Sequence, residues 1–163
     1  RFDGVSLLER HLRSLAALGV DDILVCVGWE ADRVRGEIAG SEHAARVTTV
    51  ENPDYREGSI VSLWASRDAL RSGDDVVLMD ADVLYDPALL ARLVRRTGSA
   101  LTLDRGFVPG EEPVKVCLSA GRVVEFGKLL PPGLAYDTWG ESVGFFRLAP
   151  AQDRKSTRLN SSH

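Results

Sequence analysis

The sequence predicts an α/β fold in which a parallel helix-and-strand half is followed by a β-rich half. In the first half, amphipathic helices alternate with short apolar strands, which is the order that parallel β-α-β units produce. After Gly98, short strands follow one another with only turns between them. The chain of 163 residues is long enough to bury one hydrophobic core.

The first half is predicted to contain three helices, each followed by a strand. Ser6 and Glu9 form an S-x-x-E capping box, and leucines then recur at helical spacing until Gly19 stops the helix. A short second helix ends at Gly40, and a third begins at Gly58. The strands are predicted at residues 23–27, 46–50 and 76–79.

The second half begins with one more helix and continues as strands. Asp86 and Pro87 are predicted to cap that helix, and its inner face consists of leucines and a valine. The pattern VKVCLS-AG-RVVEF predicts a hairpin whose turn is centred on Ala120 and Gly121. The strands are predicted at residues 100–103, 114–118, 122–126 and 142–148.

The segment VVLMDAD carries the clearest functional signal. Its apolar part, residues 76–79, is typical of a strand buried on both faces, and a period of two puts Asp80 and Asp82 on one side at its carboxyl end. Ligands bind at that end of open α/β sheets, and paired carboxylates suit Mg²⁺. The alternative is that the two aspartates only end a strand and open a turn ahead of the cap at Asp86.

Composition excludes several classes of function. The net charge of −4 becomes more acidic without the C-terminal residues 153–163, so we expect neither nucleic acid nor a membrane as partner. No apolar run reaches the length of a membrane span. Cys26 and Cys117 are predicted to be buried thiols of a cytoplasmic protein, and His11 and His43 lack the spacing of a zinc site.

Four segments, taken together, resemble the nucleotidyltransferase superfamily. They are GVSLLERHLRSLAALGVDDILVCVGW, ENPDYREGSIVSLWAS, LMDADVLYDPALL, and GRVVEFGK with ESVGFF. Within the superfamily the chain is most similar to phosphocholine cytidylyltransferase-like and sugar-1-phosphate nucleotidyltransferase-like proteins. The resemblance implies a Rossmann-like GT-A fold, with a mixed, mostly parallel central sheet flanked by helices and a β-rich C-terminal half.

The resemblance also implies an activity. We expect Mg²⁺-dependent transfer of a nucleoside monophosphate, CMP from CTP in the first instance, to a small phosphorylated acceptor such as phosphocholine, with release of pyrophosphate. Three alternatives stay open: a sugar-1-phosphate nucleotidyltransferase, a GT-A glycosyltransferase, and a non-catalytic, nucleotide-binding regulatory subunit. A Gly-rich loop with Arg and Lys upstream would favour nucleotidyl transfer over the glycosyltransferase.

Three site residues follow from the resemblance with specific roles. Asp82 corresponds to the metal ligand, and Asp80 to a supporting group that reaches the cation directly or through water. Lys128 corresponds to the lysine that holds the acceptor's phosphate, as a compact point charge can. The alternative for Lys128 is an ordinary solvated turn lysine.

Further binding residues are expected around these three. Gly58 and Ser59 would offer backbone N–H groups at a helix start, although Ser59 could simply cap that helix. Lys115 faces a cleft or plain solvent, and Glu141 meets the acceptor or merely ends a strand. Aromatic residues could bind a quaternary ammonium group, although core packing is the alternative for one of them, Trp64. These aromatic residues are Tyr55, Trp64, Tyr136 and Trp139.

The resemblance covers nearly all of residues 4–150. We therefore expect residues 1–152 to be a partial NTP transferase domain whose first strand and Gly-rich triphosphate loop lie upstream of Arg1. A second metal carboxylate is expected beyond the C-terminus, so the chain alone should be inactive. Residues 153–163, DRKSTRLNSSH, match the translation of a sequencing adapter and are excluded as an artefact.

Overall fold

The computed structural model describes residues 2–106 and 113–150. The chain divides into two compact units, Arg1–Val76 with Ala149–His163, and Val77–Leu148. The predicted adapter-derived tail at residues 153–163 lies outside the described residues. Among the helices that the structure describes, none has the length and apolar character that crossing a membrane requires.

The first unit contains a two-stranded parallel sheet and four α-helices. The two strands pair in register from Ile23 opposite Val47 to Val27 opposite Glu51. Two 3₁₀ turns, Ala44–Arg46 and Tyr55–Glu57, lie in the connections. In chain order the elements are α1 (Leu7–Ala17), β1 (Ile23–Val27), α2 (Ala31–Ala39), β2 (Val47–Glu51), α3 (Ser59–Ala65) and α4 (Arg67–Leu70).

Helix α1 begins and ends as its sequence predicts. The Ser6 side chain accepts the Glu9 N–H at 3.1 Å, which satisfies one of the free donors of the first turn. The reciprocal half of the capping box is replaced, because the Glu9 carboxylate bonds the side chains of Arg13 and Ser41 instead. At the other end Gly19 adopts φ +76° and closes the helix in a Schellman motif.

The third predicted helix is broken into α3 and α4. The Ser66 hydroxyl donates back to the Ser62 carbonyl at 3.0 Å, and such back-bonding bends helices. Trp64 lies near the end of α3 and is 63 % exposed. Core packing, the alternative raised for Trp64 from the helical pattern, is therefore wrong.

The second unit is a five-stranded sheet with one helix. Its strand order is β3-β7-β5-β6, and β4 also pairs with β7. The pairs β4–β7, β5–β6 and β5–β7 are antiparallel, and the core around them includes Phe145, Leu90 and Val116. The elements are β3 (Val76–Met79), α5 (Pro87–Val94), β4 (Ala100–Asp104), β5 (Lys115–Ser119), β6 (Arg122–Gly127) and β7 (Thr138–Leu148).

The predicted mostly parallel central sheet is wrong, whereas the hairpin is confirmed. Among the strands that the structure describes, β1 and β2 pair in parallel, and β3 pairs with the long strand β7 of the other sheet. Helix-strand alternation predicts which segments are strands but not which strands become neighbours. Residues 76–79 are also only partly buried. Ala120 and Gly121 both have positive φ, as a type I′ turn between β5 and β6 requires.

Candidate functional site

Residues 80–86, here called the acidic loop, connect β3 to α5. Contacts at both ends of this loop anchor it. The Asp80 N–H donates to the Gly144 carbonyl at 3.0 Å, and the Tyr85 ring packs edge-on against Phe145 with centroids 4.7 Å apart. The Asp86 carboxylate accepts a first-turn N–H of α5 at 2.8 Å. Strand β7 and helix α5 therefore fix the loop, while the Asp80 and Asp82 side chains stay exposed.

A period of two predicted that Asp80 and Asp82 would lie on one face of a strand. The structure does not place them so. Strand β3 ends at Met79, and Asp82 lies in a turn. Even so, partial burial and the charge of Asp82 both raise the pKa of Asp80. The two carboxylates are thus close enough to repel one another. This donor set of exposed, mutually repelling carboxylate oxygens fits a hard divalent cation such as Mg²⁺.

Gly144 makes room for Asp80. A Cβ added to this glycine would lie 2.6 Å from Cγ of Asp80, which is far inside van der Waals contact. Gly144 also has φ +78°, a backbone conformation that other residues rarely adopt. Sequence reasoning missed this role. The available signal was a glycine inside a predicted strand, which often marks a close approach of two segments.

The same sheet places Lys115, Glu141 and Lys128 together. Lys115 on β5 lies opposite Glu141 on β7 and opposite Gly127 on β6. Its ammonium donates to the Lys128 carbonyl at 2.6 Å, so Lys115 supports the backbone that carries the exposed Lys128 side chain. Since β3 and β6 lie three strand spacings apart, roughly 14 Å separates the acidic loop's strand from Lys128's strand.

Gly58 and Ser59 lie in the first unit, at the start of α3. Gly58 occupies the N-cap position with φ +111° and offers no side-chain cap. Ser59 is already the first helical residue, so its suggested capping role is wrong. The preceding residues 53–57, here called the 53–57 loop, follow Asn52, which is buried with 1 % exposure. In the sequence, Asn52 followed by Pro53 indicates only a turn.

The predicted aromatic surface divides into two sets. In the first unit, Arg56 lies 5.6 Å over the Tyr55 ring and Arg67 lies 5.2 Å over the Trp64 ring. In the second unit, Tyr136 and Trp139 pack against each other with ring centroids 6.4 Å apart. Cations of the chain itself therefore already lie against two of the four rings.

An open cleft of about 360 Å³ lies beside α3 in the first unit. The cleft is lined by residues of α3 and α4 and by residues from the end of β2 and the beginning of the 53–57 loop. Its lining mixes apolar and charged side chains. They include Asn52, Asp54, Val61, Trp64 and Asp68.

Comparison with known proteins now identifies the family. The profile of the MobA-like NTP transferase domain matches residues 1–123, three quarters of the chain. This chain belongs to the MobA-like NTP transferase family. It is therefore a nucleotidyltransferase-superfamily domain, as the resemblance implied. The matched range contains Asp80 and Asp82 but ends before Lys128 and Glu141.

Two curated relatives of this NTP transferase domain are informative. The bifunctional IPC transferase and DIPP synthase of Rubrobacter xylanophilus is 36 % identical over 159 residues, which cover 94 % of the chain and 34 % of that protein. The CMP-5′-(3-aminopropyl)phosphonate synthase of Streptomyces rubellomurinus is 36 % identical over 109 residues, covering 65 % of the chain and 17 % of that protein. The chain spans about a third or less of each relative.

The NTP transferase domain also holds a group that its sequence did not suggest. Ligand atoms of Glu9, Glu42 and His43 lie within 4.8 Å of one another, although His43 is far from Glu9 in the chain. The hydrogen bond from Ser41 lowers the pKa of Glu9, and Arg13 adds to this effect. Both Glu9 oxygens already accept hydrogen bonds, from Arg13 and from Ser41. The buried Nε2 of His43 has no hydrogen-bond partner among the described residues.

Proposed function

We propose that the protein carrying this chain transfers CMP from CTP to a small phosphorylated acceptor and releases pyrophosphate. Membership of an NTP transferase family supports the reaction class. The name of the Streptomyces relative, a synthase of a CMP-phosphonate, supports cytidine and a phosphorus-bearing acceptor. The observation that carries the proposal is the anchored acidic loop, which presents two mutually repelling carboxylates to solvent.

In the proposed reaction, an oxygen of the acceptor's phosphate attacks the α-phosphorus of CTP. The bond from the α-phosphorus to the bridging oxygen breaks, and pyrophosphate leaves with that electron pair. Such chemistry needs positioning and charge neutralisation rather than a covalent enzyme intermediate. Asp82 and Asp80 would hold Mg²⁺, which when bound neutralises negative charge on the phosphates.

The other site residues have supporting roles in this proposal. Lys128 would bind the acceptor's phosphate, and Lys115 would keep the Lys128 backbone in place through its 2.6 Å bond. Backbone N–H groups at Gly58 and Ser59 would bind a substrate oxygen. Glu141, opposite Lys115 in the sheet, would contact a hydroxyl or cationic group of the acceptor.

Phosphocholine is the first acceptor to test, because the sequence resemblance favours it. The arginines over Tyr55 and Trp64 argue against a choline site at those two rings, which leaves Tyr136 and Trp139 as the aromatic pair for such a head group. An aminoalkyl phosphonate and a sugar 1-phosphate belong in the same panel. The first tests the chemistry in the relative's name, and the second tests the related sugar-1-phosphate activity.

The test is an assay of pyrophosphate release by the full-length protein with each of the four nucleoside triphosphates and each acceptor. We expect CTP to be preferred and Asp82→Asn to lower kcat by about a hundredfold or more. Asp74→Asn, which changes an exposed aspartate just before β3, is the matched control and should alter kcat by less than about twofold.

Each alternative predicts a different result in this assay. Full activity of Asp82→Asn would overturn the assignment of Asp82 to the metal. Transfer from a nucleotide sugar without pyrophosphate chemistry would identify a glycosyltransferase instead. Nucleotide binding that needs no Mg²⁺ and leads to no turnover would identify a regulatory subunit.

A further inference from the structure

We infer that Asn52 is a positioning residue that fixes the start of α3 for substrate binding. Asn52 touches none of the proposed substrate-binding groups itself. It acts through the 53–57 loop, which ends at Gly58 and Ser59. The inference rests on the proposed function for what these two residues bind, but the structural role of Asn52 stands on the contacts below.

Three hydrogen bonds tie Asn52 to three separate segments. Its backbone N–H donates to the Val27 carbonyl at 2.8 Å and extends the β1–β2 ladder beyond the strand end. Its side-chain oxygen accepts the Asp54 N–H at 3.0 Å, and its side-chain nitrogen donates to the Ser62 hydroxyl at 3.0 Å. One buried residue, through its backbone N–H and its side-chain amide, thus joins the sheet, the 53–57 loop and the second turn of α3.

A second contact holds the same loop at the end of β1. Gly28 packs so closely on Tyr55 that a Cβ at Gly28 would lie 2.6 Å from the Tyr55 Cβ. The Glu57 N–H then donates to the Asp54 carbonyl at 2.9 Å and closes the 3₁₀ turn. The path from Asn52 to Gly58 is therefore fixed at several points, and Gly58 enters α3 with φ +111°.

The chemistry of asparagine suits this role. Its amide is both a donor and an acceptor, so a single side chain can bond Ser62 and Asp54 at once. It carries no charge, which matters because the residue is only 1 % exposed. Alanine at this position would leave the Asp54 N–H and the Ser62 hydroxyl without these partners, and the side-chain link between the loop and α3 would be lost.

Hydrogen exchange of the full-length protein tests the structural part. In Asn52→Ala, the amides of residues 54–59 should exchange about tenfold faster, while those of β1 stay unchanged. Ser62→Ala removes only one of the two side-chain bonds and should give about a threefold increase. Ser66→Ala is the matched control, because it removes a hydroxyl bond in the next turn that does not involve the loop.

Steady-state kinetics of the same variants test the functional part. Displacing Gly58 and Ser59 weakens binding in the ground state and the transition state alike. The KM of at least one substrate should therefore rise about tenfold in Asn52→Ala, while kcat changes by less than about threefold. If Asn52→Ala fails to fold, Ser62→Ala carries both measurements with its smaller expected effect.

The outcomes separate this inference from the proposed function. Unchanged exchange at residues 54–59 would overturn the role of Asn52 in holding the loop. Faster exchange with unchanged KM values would overturn its role in substrate binding. If the wild-type protein transferred no nucleotide, the proposed function would fail, and exchange together with the Kd values of nucleotide and acceptor would still decide the role of Asn52.

Discussion

The connections that follow β2 and β3 both lead from the carboxyl end of a strand into a helix, but they differ in how their polar side chains are satisfied. The 53–57 loop is held by Asn52, a buried neutral side chain whose donor and acceptor are both satisfied within the protein. The acidic loop instead presents Asp80, whose carboxylate reaches solvent although it is partly buried. This partial burial and the charge of Asp82 both raise the pKa of Asp80.

We interpret this difference as a division between polar groups that stabilise the fold and polar groups that, in the proposed function, bind a ligand. A group that stabilises the fold is uncharged when buried and finds its partners inside the chain. A group kept for a ligand is left in an unfavourable state until the ligand binds, and perturbed carboxyl groups accordingly mark functional sites. The following substitutions test this distinction between Asn52 and Asp80.

The largest effect is expected for Asn52→Asp. The new carboxylate could still accept the Asp54 N–H, but a charge at a site only 1 % exposed should cost about 3–4 kcal/mol of unfolding free energy at pH 7. Burial would raise the pKa of the introduced carboxyl in the folded state. The penalty should therefore shrink as pH falls through that raised pKa.

Urea unfolding of the variant and the wild type at pH 7 and pH 4 measures this effect. Ser62→Ala provides the neutral comparison, since it removes one hydrogen bond from the same site without adding charge, and its cost should not depend on pH. A penalty for Asn52→Asp that is equal at both pH values would show that the loss arises from geometry and not from buried charge.

Gly144→Ala should have the second largest effect. The new methyl group would enter the space that Asp80 fills, and an alanine at φ +78° is strained in any case. Together these effects should cost about 2–3 kcal/mol. Gly133→Ala is a matched control, because Gly133 has φ +77° with nothing within 4 Å of an added Cβ, so it should cost only about 1 kcal/mol.

A double-mutant cycle shows whether the extra cost belongs to Asp80. Asp80→Ala removes the carboxylate atoms that lie nearest to the added methyl group. In that background Gly144→Ala should cost about 1 kcal/mol less than in the wild type. Combining Asp80→Ala with Gly133→Ala should instead be additive within about 0.5 kcal/mol. If the changes in unfolding free energy for Gly144→Ala and Asp80→Ala were additive, the proposal that Gly144 makes room for Asp80 would be wrong.

The sequence predicts local features of the chain better than the pairing of distant segments. The cap at Ser6, the turn at Ala120–Gly121 and the end of the apolar run at Asp80 depend on neighbouring residues, and all three are observed. The pairing of β3 with β7 depends on segments about sixty residues apart, and periodicity does not carry that information.

The site residues that sequence reasoning missed also depend on contacts between segments that are distant in the chain. Asn52 looks like a turn former beside Pro53, and only the fold brings Val27 and Ser62 to it. Gly144 is one of several glycines with positive φ, and only the position of Asp80 makes it different. A candidate metal-binding side chain such as Asp80 can be recognised in the sequence. The residues that position such groups, like Gly144, are recognised only from contacts in the folded chain.

The smallest effect on stability is expected for Asp80→Asn. Since the pKa of Asp80 is raised in the folded state, its charge destabilises the fold above that pKa, and the penalty disappears once low pH protonates folded and unfolded chains alike. Removing the charge should therefore stabilise the protein at pH 7. The gain should be no more than a few tenths of a kcal/mol, because solvent screens the carboxylate. Below about pH 4 the substitution should give no gain in stability. Urea unfolding at both pH values, with Asp74→Asn as control, measures this. A loss of more than about 1 kcal/mol at pH 7 would mean that Asp80 supports the fold as Asn52 does, and the distinction between the two loops would be wrong.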